Sequence, residues 1–319
     1  TLIESINGLP STALFKLINR LNNKRFAGDI EKAVSRMGFK NIILFNDNDI
    51  YNGFHLKELL SPSLYIYYMR DFLQGYPFWE KHSSVLEPAL IKKADLVVTN
   101  STYYTEYCEQ FNSHSTYIGQ GCNLGLFNKK NINSLPEETR LLQKPVIGYV
   151  GALDSARLNL NILKVLAQTR SDWQIVLVGP EDSLFIASDL HQYQNIHFLG
   201  RKPIEQLPAF VNSFDVCINP QLINTITTGN YPLKIDEYLA VGKPVVATRT
   251  KAMKLFEEYT YLADKSEDYP KLVEKALLEN SSQKETERVI FLHCHTWENS
   301  ILLLYRAIKD YEEEPLSKP

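Results

Sequence analysis

Lys234 and Glu237 stand three residues apart in the stretch Thr227-Thr-Gly-Asn-Tyr-Pro-Leu-Lys-Ile-Asp-Glu-Tyr-Leu-Ala-Val-Gly-Lys-Pro-Val-Val-Ala-Thr248. A polar loop holding Gly229 and Asn230 leads into Tyr231-Pro232, which the spacing predicts as the opening of a helix. Proline is tolerated in a first turn because its missing N–H has no partner there in any case. Free N–H groups and the positive end of the helix, from Gly229 to Leu233, then suit a diphosphate. Residues i and i+3 share a helix face about 4.5 Å apart along the axis. A cation near the start and a carboxylate one turn deeper can therefore serve two parts of one nucleotide, the phosphates and the ribose hydroxyls. Gly242-Lys-Pro ends the helix and launches an apolar strand.

Other motifs carry less. Asp47-Asn48-Asp49 follows an apolar run as a metal-binding DxD would, but so short a triplet arises readily by chance and reads as a solvated turn. Gly119-Gln-Gly121-Cys-Asn-Leu-Gly125 is spaced GxGxxxG with no helix after it, and so reads as a turn. His293-Cys294-His295 lacks a second ligand pair, and no metal site is expected.

The elements that position the main stretch are legible as βαβ rhythm. Apolar β-rich runs are expected at Val146–Val150, Gln174–Val178, Ile196–Leu199, Val216–Ile218, Val245–Ala247 and Tyr259–Leu262. Helical windows separate them near Leu158–Gln168, Asp182–His191, Ile204–Asn212, Tyr231–Val241 and Asp268–Leu278. Right-handed crossovers then give a Rossmann-like, doubly wound layer. The first half repeats this more weakly, with strands at Asn41–Phe45, Leu64–Met69, Leu96–Thr99 and Thr116–Ile118, and helices near Ser11–Asn22, Gly28–Met37 and Val85–Lys93. The implied order is a first domain 1–128, a linker 129–145, a second domain 146–295, and a last helix and tail 296–319 that returns toward the first domain. A start at Thr1, without Met or a first glycine turn, suggests sequence missing upstream. The tail Pro315–Pro319 reads as frayed.

Composition excludes whole classes. With 34 Lys+Arg against 37 Asp+Glu the chain carries a net charge of −3, so a strongly basic nucleic-acid binder is not expected. No apolar run reaches the ~18–20 residues that span a bilayer, although peripheral membrane contact stays open. Cys108, Cys122, Cys217 and Cys294 form no CxxC pair and read as reduced, core-filling thiols of a cytoplasmic protein.

At this point the sequence resembles the C-terminal half of GT-B glycosyltransferases, specifically the retaining family-4-like group. The resemblance rests on Tyr231–Thr248, on Phe214-Asp-Val-Cys-Ile-Asn-Pro220, and on Gly148-Tyr-Val-Gly151-Ala152, Val178-Gly-Pro180, Phe198-Leu-Gly-Arg201 and Thr296-Trp-Glu298. A weaker match runs through Tyr67-Tyr-Met-Arg-Asp71, Ala94–Ser101 and Gly121–Phe127. It implies an α/β fold of two Rossmann-like domains facing each other across a cleft, the first truncated. It also implies a nucleotide-sugar donor, a UDP-sugar by preference, on the second domain and a saccharide or lipid-linked glycan acceptor on the first. Transfer would proceed with retention, without metal or other cofactor. Glu237 falls on the family's ribose-binding glutamate, whereas the family's other glutamate, eight positions earlier, falls on Gly229. The resemblance places Arg157 against the diphosphate, Gly151 in the first glycine loop, and Arg201 and Lys202 near the base. Relatives' His-Asp is Arg70-Asp71 here. Asp71 would orient the acceptor or stabilise charge at the anomeric carbon, and Arg70 would meet acceptor or phosphate. His82 is a further candidate for proton transfer. Tyr65, Tyr67, Tyr68, Tyr76, Phe78 and Trp79 suit sugar stacking in an acceptor cleft, and equally a core or an interface. A sugar-nucleotide epimerase and a catalytically silent nucleotide-sugar binder share the same donor domain and remain alternatives.

Overall fold

The computed structural model describes residues 12–313; the expectations for Ser11, the opening stretch and the tail Pro315–Pro319 lie outside them. The chain divides into two units, one running to Gly119 and resuming at Ile301, the other spanning Gln120–Ser300. The division thus falls earlier than residue 128. Gly121 and Cys122 already belong to the second unit: a Cβ on Gly121 would sit 2.2 Å from the Trp297 nitrogen, and Cys122 N–H donates to the His295 carbonyl at 2.9 Å.

In the first unit, β1 (Ile43–Asp47), β2 (Leu64–Met69), β3 (Leu96–Thr99) and β4 (Ser115–Tyr117) form a parallel sheet in that order. Both faces are covered, which is why β2 and β3 read as unbroken apolar runs. Tyr65, Tyr67 and Met69 meet Phe15, Leu86, Leu90 and Tyr104 on one side. On the other, Leu64, Ile66, Tyr68 and Val98 pack against Leu303, Leu304, Ala307 and Ile308 of the last helix, Trp297–Glu313. Tyr65, Tyr67 and Tyr68 are therefore core residues, not sugar-stacking ones. The two helices expected around residues 11–37 are one, Thr12–Met37, running through Gly28, whose cost to a helix is only about 1 kcal/mol.

The second unit holds six parallel strands: β5 (Val146–Val150), β6 (Gln174–Val178), β7 (Ile196–Phe198), β8 (Val216–Asn219), β9 (Val245–Thr248) and β10 (Tyr261–Ala263). Their order is β10-β9-β8-β5-β6-β7. The chain winds outward from β5 to β7, returns to β8 beside β5, and winds out the other way. Helix Leu160–Thr169 buries Ile162, Leu163 and Leu166 on one face of this sheet. Helices Leu207–Ser213 and Leu233–Ala240 cover the other through Phe210, Val211, Ile235, Tyr238 and Leu239. The helix expected at Asp182–His191 is two short turns, Ser183–Ile186 and Asp189–Gln192. Three cysteines are buried thiols, as expected of core fillers, but Cys294 is exposed.

Candidate functional site

The reversal of winding between β5 and β8 is the topological switch point of the second unit, the place where an open parallel sheet leaves a crevice beyond its strand ends. The two loops that leave those strands are stitched together. Leu158 bridges Gln221, Leu222 N–H donates to the Arg157 carbonyl at 2.8 Å, Asn159 N–H to that of Pro220 at 2.8 Å, and Asn224 Nδ2 to that of Ala156 at 2.8 Å. Asn224 also organises its own loop. Its Oδ1 accepts from the N–H of Ile226 and Thr227, and its carbonyl accepts from Thr228 Oγ1 at 2.6 Å.

Helix Leu233–Ala240 is clamped to the end of β5 by Tyr238. The Val150 N–H donates to Tyr238 Oη at 2.8 Å, and that hydroxyl donates back to the Val150 carbonyl at 3.2 Å. Lys234 is thereby brought over the strand ends, its Nζ 5.3 Å from the Tyr149 ring centre and its Cε about 3.1 Å from where a Gly151 Cβ would stand. Gly151 (φ +146°) and Gly179 (φ +156°) meet here. A Cβ on Gly179 would fall 1.9 Å from the Gly151 carbonyl oxygen, so only glycine allows the two chains this approach.

Among the described residues neither Lys234 nor Glu237 makes a hydrogen bond or ion pair. Burial pushes the half-buried Glu237 carboxyl up to about 7, with Lys234 pulling the other way. An acid and a cation thus stand on one helical turn with no hydrogen bond or ion pair of their own among the described residues. The helix start differs from expectation in one respect. Pro232 precedes the helix, and the N–H groups of Leu233 and Ile235 already donate to Tyr231 and Pro232. Those of Gly229 and Lys234 have no acceptor among the described residues. Gly229 is itself buried, and Asn230 N–H donates to the Thr227 carbonyl at 3.4 Å. Arg157 lies 3.7 Å from Asp154 and stays partly exposed. Arg201 is exposed, and Lys202 is engaged with Glu138 at 2.8 Å.

In the first unit a separate polar cluster forms where β1 and β2 end side by side. Arg70 Nε donates to Asp47 Oδ1 at 2.7 Å, and its guanidinium lies 3.7 Å from Asp71. Asn48, at φ +56°, accepts from Arg70 N–H at 3.1 Å and donates to the Asp71 carbonyl at 3.4 Å. Asn100 Nδ2 donates to the Arg70 carbonyl at 3.2 Å. Asp49 accepts from the N–H groups of Tyr51 and Asn52. The DxD-like triplet is therefore engaged in holding this edge, not merely a solvated turn. His82 does not join the cluster: it is buried, stacked on Phe15 at 3.7 Å, and burial lowers its pKa.

Residues 144–279 match the family model described as Glycosyl transferases group 1. That segment is similar to group 1 glycosyl transferases over somewhat less than half of the chain. A protein of Bacillus subtilis (strain 168) named as a teichuronic acid biosynthesis glycosyltransferase, TuaH, is 29% identical over 174 residues. The match takes in 52% of this chain and 42% of TuaH, so the chain spans less than half of that relative. Among solved structures, HepE of Anabaena in complex with UDP and glucose aligns over 90% of this chain and 81% of its own, with a TM-score of 0.66 and 18% identity. Sucrose-phosphate synthase of Thermosynechococcus elongatus aligns over 91% and 78%, with a TM-score of 0.69 and 17% identity. At these identities the likeness is one of fold, the α/β class of GT-B glycosyltransferases with parallel sheets. The matched segment takes in Gly151, Arg157, Arg201 and the whole stretch from Gly229 to Glu237. Sequence reading passed over Tyr238 and Asn224 within it, although an Asn followed by Thr at the third and fourth positions is a recognisable turn signal.

Proposed function

We propose that this protein is a glycosyltransferase that moves a sugar from a UDP-sugar to a saccharide or lipid-linked glycan, with retention and without a required metal. The observation that carries the reading is the pair Lys234 and Glu237, which makes no hydrogen bond or ion pair among the described residues and is fixed by Tyr238 over the glycine-lined ends of β5 and β6. Lys234, Arg157 and the N–H groups of Gly229 and Lys234 would offset the negative charge that develops on the leaving diphosphate. Glu237 would accept from the ribose hydroxyls, and Arg201 would lie toward the base. In the first unit Asp71, whose carbonyl accepts from Asn48, would orient the acceptor or stabilise charge at the anomeric carbon, and Arg70 would meet acceptor or phosphate.

Support for UDP comes from the HepE structures, which hold UDP with and without glucose. Support for a glycan acceptor comes from TuaH, named for teichuronic acid biosynthesis. The test is a thermal-shift panel of UDP-, GDP-, ADP- and dTDP-sugars, followed by product analysis with the donor that binds. A bound ligand raises stability by mass action, so a shift with the UDP-sugar alone is expected. Absence of any shift across the panel overturns the reading, and sugar inversion without transfer replaces it with an epimerase.

A further inference from the structure

Helix Leu233–Ala240 contains one residue that its packing does not call for. Ile235, Tyr238 and Leu239 are buried as an apolar face should be, yet Asp236 is fully buried among them. A carboxylate in such a place is costly unless it is hydrogen-bonded or paired. Here both oxygens are used. Tyr231 Oη donates to Oδ2 at 2.5 Å, and His295 Nδ1 stands 2.9 Å from Oδ1. The Tyr231 hydroxyl and His295 Nδ1 are 3.2 Å apart, which closes a three-membered cluster.

The cluster is held from several sides. Phe256 meets the Tyr231 ring edge-on at 5.7 Å and the His295 ring at 5.8 Å, and Phe291 meets His295 at 4.6 Å. The His295 carbonyl accepts from Cys122 N–H, so the histidine is itself tied down. Tyr231 is the second residue after Gly229, and its carbonyl accepts the N–H of Leu233 at 3.1 Å. Whatever fixes the Tyr231 side chain therefore fixes the backbone on both sides of Pro232. Apolar residues could fill this volume, but only directional bonds select one placement of the ring.

We propose that Asp236 and His295 are positioning residues that pin Tyr231, and with it the Gly229–Leu233 loop, in the form that accepts the donor's diphosphate. The inference rests on the donor site described above, and it adds two residues that touch no donor atom. Pre-ordering the loop removes an ordering cost from binding, so releasing it weakens the nucleotide without touching Lys234 or Glu237.

Tyr231→Phe is the mildest test, because it removes one hydroxyl and keeps the ring. UDP affinity by calorimetry should fall about tenfold (~1.4 kcal/mol), with amide exchange in residues 229–233 speeding up while that of β5 and β8 stays as it was. His295→Ala should weaken UDP at least as much, and His295→Asn, whose amide reaches where Nδ1 stood, should recover part of the loss. A structural role alone would lower thermal stability without this recovery. If Glu237→Ala weakens UDP binding while Tyr231→Phe leaves it within twofold, the positioning role is wrong and the donor site stands. If neither variant changes UDP binding, the donor site itself is misplaced and the inference falls with it. Should His295→Ala fail to fold, Tyr231→Phe decides alone.

Discussion

Replacing Glu237 by Gln tests the donor site where it is most exposed to refutation. The carboxyl sits with its ordinary value of 4.5 raised to about 7 by burial, against the pull of Lys234. Below pH 7 it is mostly neutral, and above pH 7 it is mostly a carboxylate. Only the ionised form can accept strongly from two ribose hydroxyls. A hydrogen bond to a charged group is worth about 1.5–3 kcal/mol, and its loss corresponds to roughly 10–100-fold in affinity. The ionised fraction is about 0.9 at pH 8 and about 0.1 at pH 6. Wild-type affinity for UDP, measured by calorimetry, should therefore drop about tenfold from pH 8 to pH 6 beyond any change seen in the variant. Both proteins bind the same nucleotide, so the phosphate's own titration cancels in their ratio. Glu237→Gln should bind 10–100-fold more weakly at pH 8 and converge toward wild type at pH 6. Parallel pH curves, or variant affinity within twofold at pH 8, would refute the assignment of ribose contact to Glu237.

Three further outcomes follow from the geometry. Gly179→Ala places a methyl 1.9 Å from the Gly151 carbonyl oxygen, and overpacking of this kind costs about 1–3 kcal/mol; Tm and UDP affinity should fall together, and an unchanged Tm would contradict the close approach. Glu87 is wholly buried, accepts from Tyr67 Oη at 3.2 Å and Gln74 Nε2 at 3.3 Å, and is pushed from 4.5 to about 7 by burial. The folded protein thus holds a proton that the unfolded chain releases, so the contribution of this group is most favourable below pH 4.5 and declines as pH rises to about 7, by ~3 kcal/mol in all. Glu87→Gln should raise Tm at pH 8 by several degrees and change it little near pH 5, whereas an equal shift at both would count against the burial effect. On the proposed reading, in which Lys234, Arg157 and the loop N–H groups would carry the diphosphate charge, transfer should proceed unchanged in EDTA; a strict Mn²⁺ requirement would contradict it.

Strand positions were readable because parallel strands covered on both faces become short continuous apolar runs. β2, β3, β5 and β6 fall on the expected residues for that reason. That Lys234 and Glu237 share one helical turn was readable because a glycine loop, a proline and a helix stand in fixed order. What could not be read depends on partners distant in sequence. Asp236 looks like a solvated helix residue until His295, 59 positions away, is seen beside it. Asp47 looks like a metal ligand or a free turn until Arg70 reaches it from the next strand. His82 looks like a free imidazole until Phe15 is found stacked on it. Gly28 misled in the opposite direction, since a glycine costs a helix only about 1 kcal/mol and a surface position need not end it.

The return of Leu303, Leu304, Ala307 and Ile308 to the sheet of β1–β4 has a consequence for biosynthesis. A nascent chain stalled after Gly119 would present Leu64, Ile66, Tyr68 and Val98 without their cover. That cover reaches them only after all of Gln120–Ser300 has left the ribosome, a delay on the order of 10–40 s at ~5–20 residues per second. During that interval the four-stranded sheet, complete but bare on one face, is a natural client for a chaperone. Cutting the gene between the two units would leave a fragment prone to precipitate, whereas joining residues 301–313 behind residue 119 through a short spacer should yield one that stays in solution.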